Sequence, residues 1–375
     1  MTTRESRIMK KNILFNVSLF AILGTIDANA SAHMYANTIS AHNIAAIQHS
    51  VTQTMFSSFA GSMRGTMGGQ KLRTQAINAQ ANENPARTYG RAPMYGRAPL
   101  YGEYNDDGTA GRSGGDTVNP DATLNSLWAN WQHMGDNAKF DNSDRLDSDA
   151  DIFMFGVAGG TSEFAGGLSK WGLYTGFVNG EQKNNLINID EQGGFFGIYN
   201  GNVFGDLGLY TTINGGVLNN SATTTDGTDE YSNFWAGGAI NATYDFTLDQ
   251  TFTIQPGVHL AYTWIRGEEY QSANGDEIKN NALSIFEFAP SIRAIKHIAN
   301  GWFGSINAKY AILSTSGNDL TVNNIATSTL ETGNFKEYSL SLEKNVADFN
   351  FTGTFGRRDG ARDGWIGSLT VKYLF

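Results

Sequence analysis

The last residues of the chain alternate between apolar and polar side chains. One set is Trp365, Gly367, Leu369, Val371, Tyr373 and Phe375, and the other is Ile366, Ser368, Thr370, Lys372 and Leu374. Because successive side chains of a β-strand point to opposite faces, this spacing predicts a strand with one apolar and one largely polar face. Aromatic residues lie at both ends of the apolar face. Such a strand is typical of a position between lipid and a wet lumen.

The same alternation recurs throughout residues 124–375, interrupted by clusters of Gly, Asn and Asp. In the clearest stretch, 251–264, Val258 shares the apolar face and His259 the polar face. We predict twelve strands, beginning near residues 124, 151, 170, 194, 206, 233, 251, 282, 301, 335, 349 and 364. The sequence therefore predicts an all-β fold, a 12-stranded antiparallel transmembrane β-barrel, preceded by an N-terminal helix and a flexible low-complexity linker.

The predicted connections alternate between long and short. Long gaps are expected at about 135–150, 179–193, 214–232, 265–281 and 313–334, and shorter ones at 159–169, 200–205, 247–250, 296–300 and 345–348. This alternation is expected when one rim of a barrel faces the cell exterior and the other the periplasm. The alternative, a soluble lipocalin-like barrel, would turn its apolar residues inward. Aromatic residues at the strand ends and charges on the polar faces favour the membrane barrel.

Charged and polar side chains on the inner faces predict a wet lumen. The predicted lumen-facing residues are Asp245, His259, Glu287, Arg293, Lys309, Glu343 and Lys372. A charge facing lipid near the bilayer midplane would cost about 2–4 kcal/mol, so these side chains need water or a partner. Glu287 and Arg293 on one strand and Lys309 on the next are candidates for ion pairs across the lumen.

Composition narrows the function classes. The 375 residues contain no cysteine, so disulfides and thiolate metal sites are excluded. The formal net charge of −10 disfavours a nucleic-acid partner, which requires a basic face. The mean hydropathy of −0.32 is compatible with a membrane barrel, because lipid-facing and lumen-facing residues cancel in the average.

The N-terminus has the pattern of a secretory signal peptide. Lys10 and Lys11 precede an apolar stretch at 13–26, and small residues occupy positions 28 and 30 of Ala28-Asn29-Ala30. We predict residues 1–30 as a signal peptide cleaved after Ala30. The stretch is too short and too polar for a membrane-spanning helix. The predicted destination is the outer membrane of a Gram-negative cell.

Residues 31–60 are predicted to hold a helix and 61–123 a linker. Apolar side chains recur at helical spacing at Ile44, Ile47, Val51, Met55 and Phe59, with Ser40 as the expected N-cap. Residues 61–123 contain few large aliphatic side chains, and Tyr-Gly-Arg-Ala-Pro occurs at 89 and again at 95. We interpret 61–123 as a flexible low-complexity linker or a short passenger remnant.

No catalytic, cofactor or metal site is predicted, and we do not expect an enzyme. Asp147, Asp149 and Asp151 resemble the start of a calcium loop, but Ile152 replaces the required glycine and Ala158 the bidentate glutamate. These aspartates are interpreted as a solvated acidic extracellular loop. His259 has no assignable catalytic partner in the sequence and is expected to be a hydrogen-bonded lumen residue.

Taken as a set, these features resemble the autotransporter translocator domain family. The matching features are a C-terminal twelve-strand barrel ending in Phe, a preceding helix and signal peptide, the segment G-F-F-G-I-Y-N at 194–200 paired with G-D-L-G-L-Y at 205–210, and the first strand at 124–133. The final V-K-Y-L-F resembles the signal recognised by the barrel-assembly machinery. Val371, Tyr373 and Phe375 would carry that signal.

The resemblance implies a non-enzymatic barrel that anchors in the outer membrane and translocates or displays a short N-terminal segment. Its implied partners are outer-membrane lipid, lipopolysaccharide and the barrel-assembly machinery, and it would be a monomer. Family members usually carry a large passenger, whereas only 31–123 is available here. A passive porin-like channel or adhesin-like surface barrel without a passenger is the alternative. A pore-helix role for 31–60 is left open.

Overall fold

This computed structural model describes residues 32–56, 125–140, 145–249, 251–299, 301–317, 319–327 and 330–375. The predicted signal peptide and linker lie outside these residues. The barrel strands are β1 (Ser126–Ala138), β2 (Leu146–Ala158), β3 (Gly167–Lys183), β4 (Asn188–Phe204), β5 (Leu207–Thr224), β6 (Gly227–Tyr244), β7 (Phe252–Ile265), β8 (Leu283–Ala299), β9 (Trp302–Gly317), β10 (Phe335–Val346), β11 (Phe349–Gly360) and β12 (Arg362–Leu374). A helix, α1, occupies 32–56.

The twelve strands close into one antiparallel barrel. Each strand pairs with its sequence neighbour, and β1 pairs with β12 so that Ser126 lies opposite Leu374. This confirms the predicted twelve-stranded barrel. We call the rim that holds Ser126 and Leu374 the periplasmic rim and the opposite one the extracellular rim, because both ends of an even-stranded barrel lie on the side of the short turns.

The first six strands run further toward the extracellular rim than predicted. The gap expected at 214–232 is almost entirely strand, with only 225–226 between β5 and β6. The acidic segment 147–151 lies within β2 rather than in a loop. Both expectations were wrong because the residues of these two segments, although largely polar, alternate between buried and exposed positions as in the rest of the strands. Ala222 and Tyr231, for example, are buried and pack on α1.

The outer surface of the barrel is a belt of exposed apolar side chains. It includes Trp131, Phe153, Phe155, Phe177, Phe196, Ile213, Ile306, Leu340, Phe355 and Leu369. Phe196 is 71% exposed and Val258 37%, whereas His259 next to Val258 is only 1% exposed. Exposing this much apolar surface to water would be unfavourable, at about 25 cal/mol per Å². The belt therefore faces hydrocarbon, as the alternation predicted.

Aromatic rings line one side of the lumen and lie flat against glycines of the adjacent strand. A Cβ at Gly156 would collide with the indole of Trp128, and one at Gly172 with the ring of Tyr199. Trp128 Nε1 donates a hydrogen bond to Tyr199 Oη at 3.1 Å, which joins β1 to β4 across the lumen wall. These glycines permit large rings to lie against the wall, which leaves room for other elements along the barrel axis.

One short sheet and two short strands extend the rims. Glu269–Gln271, Glu277–Asn280, Leu320–Val322 and Ile325–Thr327 form a four-stranded sheet above the extracellular rim, which we call the extracellular cap. Ser162–Phe164 pairs with β3 and Phe246–Thr247 with β7 at the periplasmic rim. Tyr270 of the cap stacks on Tyr231 with ring centroids 5.3 Å apart, and burial raises the pKa of Tyr270 above its usual range.

Helix α1 fills the barrel lumen. All of its side chains are buried except Tyr35, Ala45 and Gln53, which are partly exposed. The helix begins before Ser40, which was wrongly expected to be the N-cap. The Ser40 hydroxyl instead lies 2.9 Å from the Tyr231 hydroxyl in the barrel wall. Ala32, Ala36 and Ile39 continue the helical apolar stripe toward the N-terminus. No helix among the described residues is long and apolar enough to span a membrane.

Candidate functional site

The candidate site is the interface between α1 and the lumen wall. The N-terminal end of α1 lies at the extracellular rim, where Met34 packs with Ile278 and Leu320 of the cap. The C-terminal end points toward the periplasmic rim, where the rings of Phe56 and Tyr210 are 6.2 Å apart. The chain therefore runs from the outside inward along the barrel axis.

The helix is uncharged apart from its histidines, whereas the wall around it is charged. Residues 32–56 contain no Asp, Glu, Lys or Arg. The buried wall residues include Asp136, Glu191, Asp229, Glu287, Glu337, Lys309, Arg358 and Arg362. Buried charges require partners, and the polar side chains of α1 supply part of them. This complementarity is a specific reason for the helix to occupy the lumen.

Polar contacts from His33, Ser40 and Asn43 hold one side of the extracellular half of α1. His33 Nδ1 lies 2.7 Å from Asp229 Oδ2 at the rim. One turn below Ser40, Asn43 Nδ2 donates to Glu191 Oε2 at 2.6 Å, and Gln182 donates to the other oxygen of Glu191 at 2.5 Å. The helix contacts reach β4 and β6, and Gln182 links them to β3. The extracellular half of α1 is therefore fixed to one side of the wall.

An ion-pair network holds the opposite side of the helix. Arg358 donates to Asp136 Oδ2 at 3.0 Å, to Glu337 Oε2 at 3.1 Å and to Ser50 Oγ of α1 at 2.7 Å. Arg362 donates to Asp136 Oδ1 at 2.8 Å. Arg358 is only 1% exposed. The network therefore joins β1, β10, β11, β12 and the helix in one buried unit.

His49 connects α1 to two glutamates of the wall. Its Nδ1 lies 2.6 Å from Glu287 Oε1 and its Nε2 lies 3.3 Å from Glu337 Oε2. Lys309 Nζ donates to Glu337 Oε1 at 3.0 Å and is 3.4 Å from His49 Nε2. His49 was not predicted as a site residue, because its partners come from strands far away in the sequence.

His259 lies in the lumen beside His49, with ring centroids 6.1 Å apart. It was expected to be hydrogen-bonded, and this expectation was wrong. Within the described part of the chain neither of its ring nitrogens has a hydrogen-bond partner. Its Nε2 is 3.9 Å from Glu287 Oε1. A cavity of about 120 Å³ borders His49, His259 and Lys309 and extends toward the periplasmic rim.

The other residues predicted to face the lumen occupy different settings. Lys372 is buried, and Glu343 accepts a hydrogen bond from Asn350 at 2.6 Å. Asp245 lies in the connection after β6 and accepts from Gln255 at 2.5 Å. Arg293 donates to Ser305 at 2.8 and 3.0 Å. The ion pairs suggested among Glu287, Arg293 and Lys309 are not found among the described residues, because Glu287 contacts His49 of the helix and Lys309 pairs with Glu337 of β10.

The predicted pore-helix face and the C-terminal signal have defined positions. Ile44, Ile47, Val51 and Met55 are buried on α1 against the lumen wall, and Phe59 lies outside the described residues. Tyr373 is 38% exposed on the outer face of β12 and Val371 is partly exposed there, and Phe375, which follows the strand, is 49% exposed. The Phe375 backbone closes the barrel by donating to Asn125 O at 3.1 Å.

Several solved structures have a fold similar to that of this chain. No family model and no curated protein matched the sequence. The β domain of the Bordetella autotransporter BrkA has a TM-score of 0.56 and 16% identity, over 67% of this chain and all (100%) of that one. The translocator domain of NalP from Neisseria meningitidis has a TM-score of 0.53 and 14% identity, over 68% and 89%.

A third similar structure is the transport unit of AIDA-I from Escherichia coli. Its TM-score is 0.52 at 16% identity, over 69% of this chain and 93% of that one. At such identities the shared property is the fold. Together with the exposed apolar belt, these matches confirm the resemblance in fold predicted from the sequence, and the chain is a transmembrane β-barrel with the fold of an autotransporter translocator domain.

Proposed function

We propose that this protein is a non-enzymatic anchor of the autotransporter type whose barrel is closed by its own helix. The observation that carries the proposal is the burial of α1 along the barrel axis, with polar contacts to both sides of the wall. A helix with side chains is about 10–12 Å in diameter. It would therefore leave little space for an open water-filled path past the ion-pair network.

The direction of α1 bears on which segment reaches the surface. The helix begins near residue 32 at the extracellular rim and ends at Phe56 on the periplasmic side. Ser126, where β1 begins, lies at the periplasmic rim as well. Residues 57–124 are thus joined at both ends to that side. We propose that the helix N-terminus is the displayed end and that the linker stays in the periplasm.

This assignment departs from the large surface passenger usual for the family. With cleavage after Ala30, α1 would begin almost at the mature N-terminus. The exposed outer parts would then be the extracellular cap and the rim. As a monomer, the barrel would contact outer-membrane lipid and lipopolysaccharide through its apolar belt and rims. The C-terminal Val371, Tyr373 and Phe375 would engage the barrel-assembly machinery.

Conductance in planar lipid bilayers tests whether the helix closes the lumen. Deleting 32–56 should turn a silent or flickering barrel into one with a large stable conductance. A matched control deletes 85–109, a stretch of equal length in the linker, and should leave the barrel closed. A stable conductance in the full chain that persists unchanged after deletion of 32–56 would instead support the passive porin-like channel.

Labelling with a membrane-impermeant maleimide tests the location of the linker. The chain has no cysteine, so single cysteines report one position each. Ser113→Cys in the linker should react only after the outer membrane is permeabilised. Ala326→Cys in the extracellular cap, where Ala326 is exposed, is the positive control on intact cells. Labelling of Ser113→Cys on intact cells would favour display of 61–123 at the surface.

A further inference from the structure

Three potential metal ligands converge where α1 meets β7 and β8. One ligand atom from each of His49, His259 and Glu287 lies within 4.8 Å of the others, and all three residues are buried. Metal bonds of about 2.0–2.2 Å to nitrogen and oxygen in tetrahedral geometry place ligand atoms roughly 3.4 Å apart. Side-chain adjustments of about 1 Å would therefore be enough to reach that geometry.

The state of His259 points to a ligand rather than to a packing residue. A buried imidazole normally satisfies at least one of its nitrogens, because desolvating an unpaired polar group is unfavourable. His259 is 1% exposed, and in the described residues neither nitrogen has a hydrogen-bond partner. One of them, Nε2, faces the Glu287 carboxylate at 3.9 Å. A cation placed between them would satisfy both groups.

The surroundings of His49 match those of a metal-bound histidine. Such a residue usually donates its second N–H to a carboxylate, which fixes the ring and its tautomer. When Nδ1 of His49 faces the metal, Nε2 can donate to Glu337 Oε2 at 3.3 Å. Glu337 is held in turn by Lys309 at 3.0 Å and by Arg358 at 3.1 Å. The Glu337 carboxylate is therefore already oriented to accept a hydrogen bond from His49.

The charge balance of the lumen allows a divalent ion. Lys309 is the nearest cation, with Nζ 3.4 Å from His49 Nε2, and its charge is offset by Glu337. Glu287 has no Lys or Arg partner among its described ion pairs, only His49 and His259. A carboxylate without a cationic partner in a buried site favours binding of a positive ion.

We propose that His49, His259 and Glu287 form a binding site for a first-row divalent metal ion such as Zn²⁺. Two imidazoles and one carboxylate suit Zn²⁺ better than Ca²⁺ or Mg²⁺, which prefer oxygen ligands. The adjacent cavity of about 120 Å³ leaves room for water as a fourth ligand. Because His49 is on α1 and the other two ligands are on the wall, the ion would fasten the helix inside the barrel.

The test uses the mature chain without a histidine tag, refolded in detergent and stripped with a chelator. Zn²⁺ is titrated by calorimetry, and Co²⁺ by its visible absorption, which reports nitrogen and oxygen ligation. We expect one equivalent to bind and the unfolding temperature to rise with added Zn²⁺. His259→Phe and Glu287→Gln should each weaken binding at least 100-fold. Glu337→Gln should weaken it about 10–100-fold, as expected for an outer carboxylate.

Two other histidines supply matched controls. His297→Gln changes a residue at the periplasmic end of β8, where the ring stacks on Phe303. His133→Gln removes the exposed histidine that lies 3.3 Å from Asp151 on the outer face. Both should leave the one-equivalent binding unchanged. His259→Phe breaks no hydrogen bond of the described residues, so the variant should fold. Absence of stoichiometric binding in the wild type, or binding unaffected by His259→Phe and Glu287→Gln, would overturn the proposal.

Discussion

Replacing Arg358 by glutamine should destabilise the protein strongly, because this side chain links the helix to two buried carboxylates. The change removes hydrogen bonds to Asp136 at 3.0 Å, Glu337 at 3.1 Å and Ser50 at 2.7 Å. Breaking a buried ion pair from one side costs about 3–5 kcal/mol. Asp136 remains paired with Arg362, and Glu337 remains paired with Lys309. We therefore expect the free energy of unfolding to fall by about 3–5 kcal/mol in total rather than for each pair.

The neighbouring residue provides the matched control. Arg357 precedes Arg358 on β11 but points outward, where it is 41% exposed, pairs with Asp363 and lies over the ring of Trp365. Exposed ion pairs contribute about 0–1 kcal/mol, and salt screens them. Arg357→Gln should therefore cost no more than about 1 kcal/mol, and this small loss should shrink further at high salt.

Equilibrium unfolding in denaturant, followed by tryptophan fluorescence in detergent or lipid, measures both variants. Arg358→Gln should lower the free energy of unfolding strongly, also in high salt. Arg357→Gln should lower it only slightly. Equal losses for the two variants, or a loss below about 1 kcal/mol for Arg358→Gln, would refute the view that a buried network holds the helix in the barrel.

Three further changes test other parts of the structure. Leu369→Arg places a charge on the lipid face of β12, where Leu369 is 50% exposed, and should lower the free energy of unfolding in lipid by about 2–4 kcal/mol. Ser368→Arg, on the lumen side, should lower it less. His259→Phe should stabilise the metal-free protein by about 1–3 kcal/mol, because it removes a buried polar group without a partner; a loss of stability would indicate a missed hydrogen bond. Ala347→Gly relieves a backbone φ of 50° in the turn after β10 and should add about 1 kcal/mol; an unchanged denaturation midpoint would show that the turn is unstrained.

The barrel could be predicted from the sequence because its signal is local. A period of two identifies each strand and its lipid face, and the predicted and observed starts of the last four barrel strands lie within two residues of each other. The extracellular extensions could not be predicted this way. Residues such as Asn219 and Thr223 are polar, and they join the sheet through pairing with β4 and β6.

The lumen site depended on contacts that no sequence period reveals. His49 meets Glu287 and Glu337 only because the barrel closes around the helix. The inward position of Glu287 was predictable from alternation, but its partner was not, because the choice depends on the depth and rotation of α1. The early start of the helix could have been found, since Ala32, Ala36 and Ile39 continue the apolar spacing.

A pair of cysteines can test whether α1 lies inside the barrel. Ser50 Oγ is 2.9 Å from Met134 Sδ, so Ser50→Cys with Met134→Cys should be joined by a short thiol-bridging reagent. Trypsin then cuts the linker between helix and barrel at its Lys and Arg residues. After denaturation, the helix peptide should stay covalently attached to the barrel. In the control pair, Ser50→Cys with His133→Cys, position 133 faces outward and the peptide should be released on denaturation. Release from the first pair, or equal retention in both, would contradict a helix in the lumen.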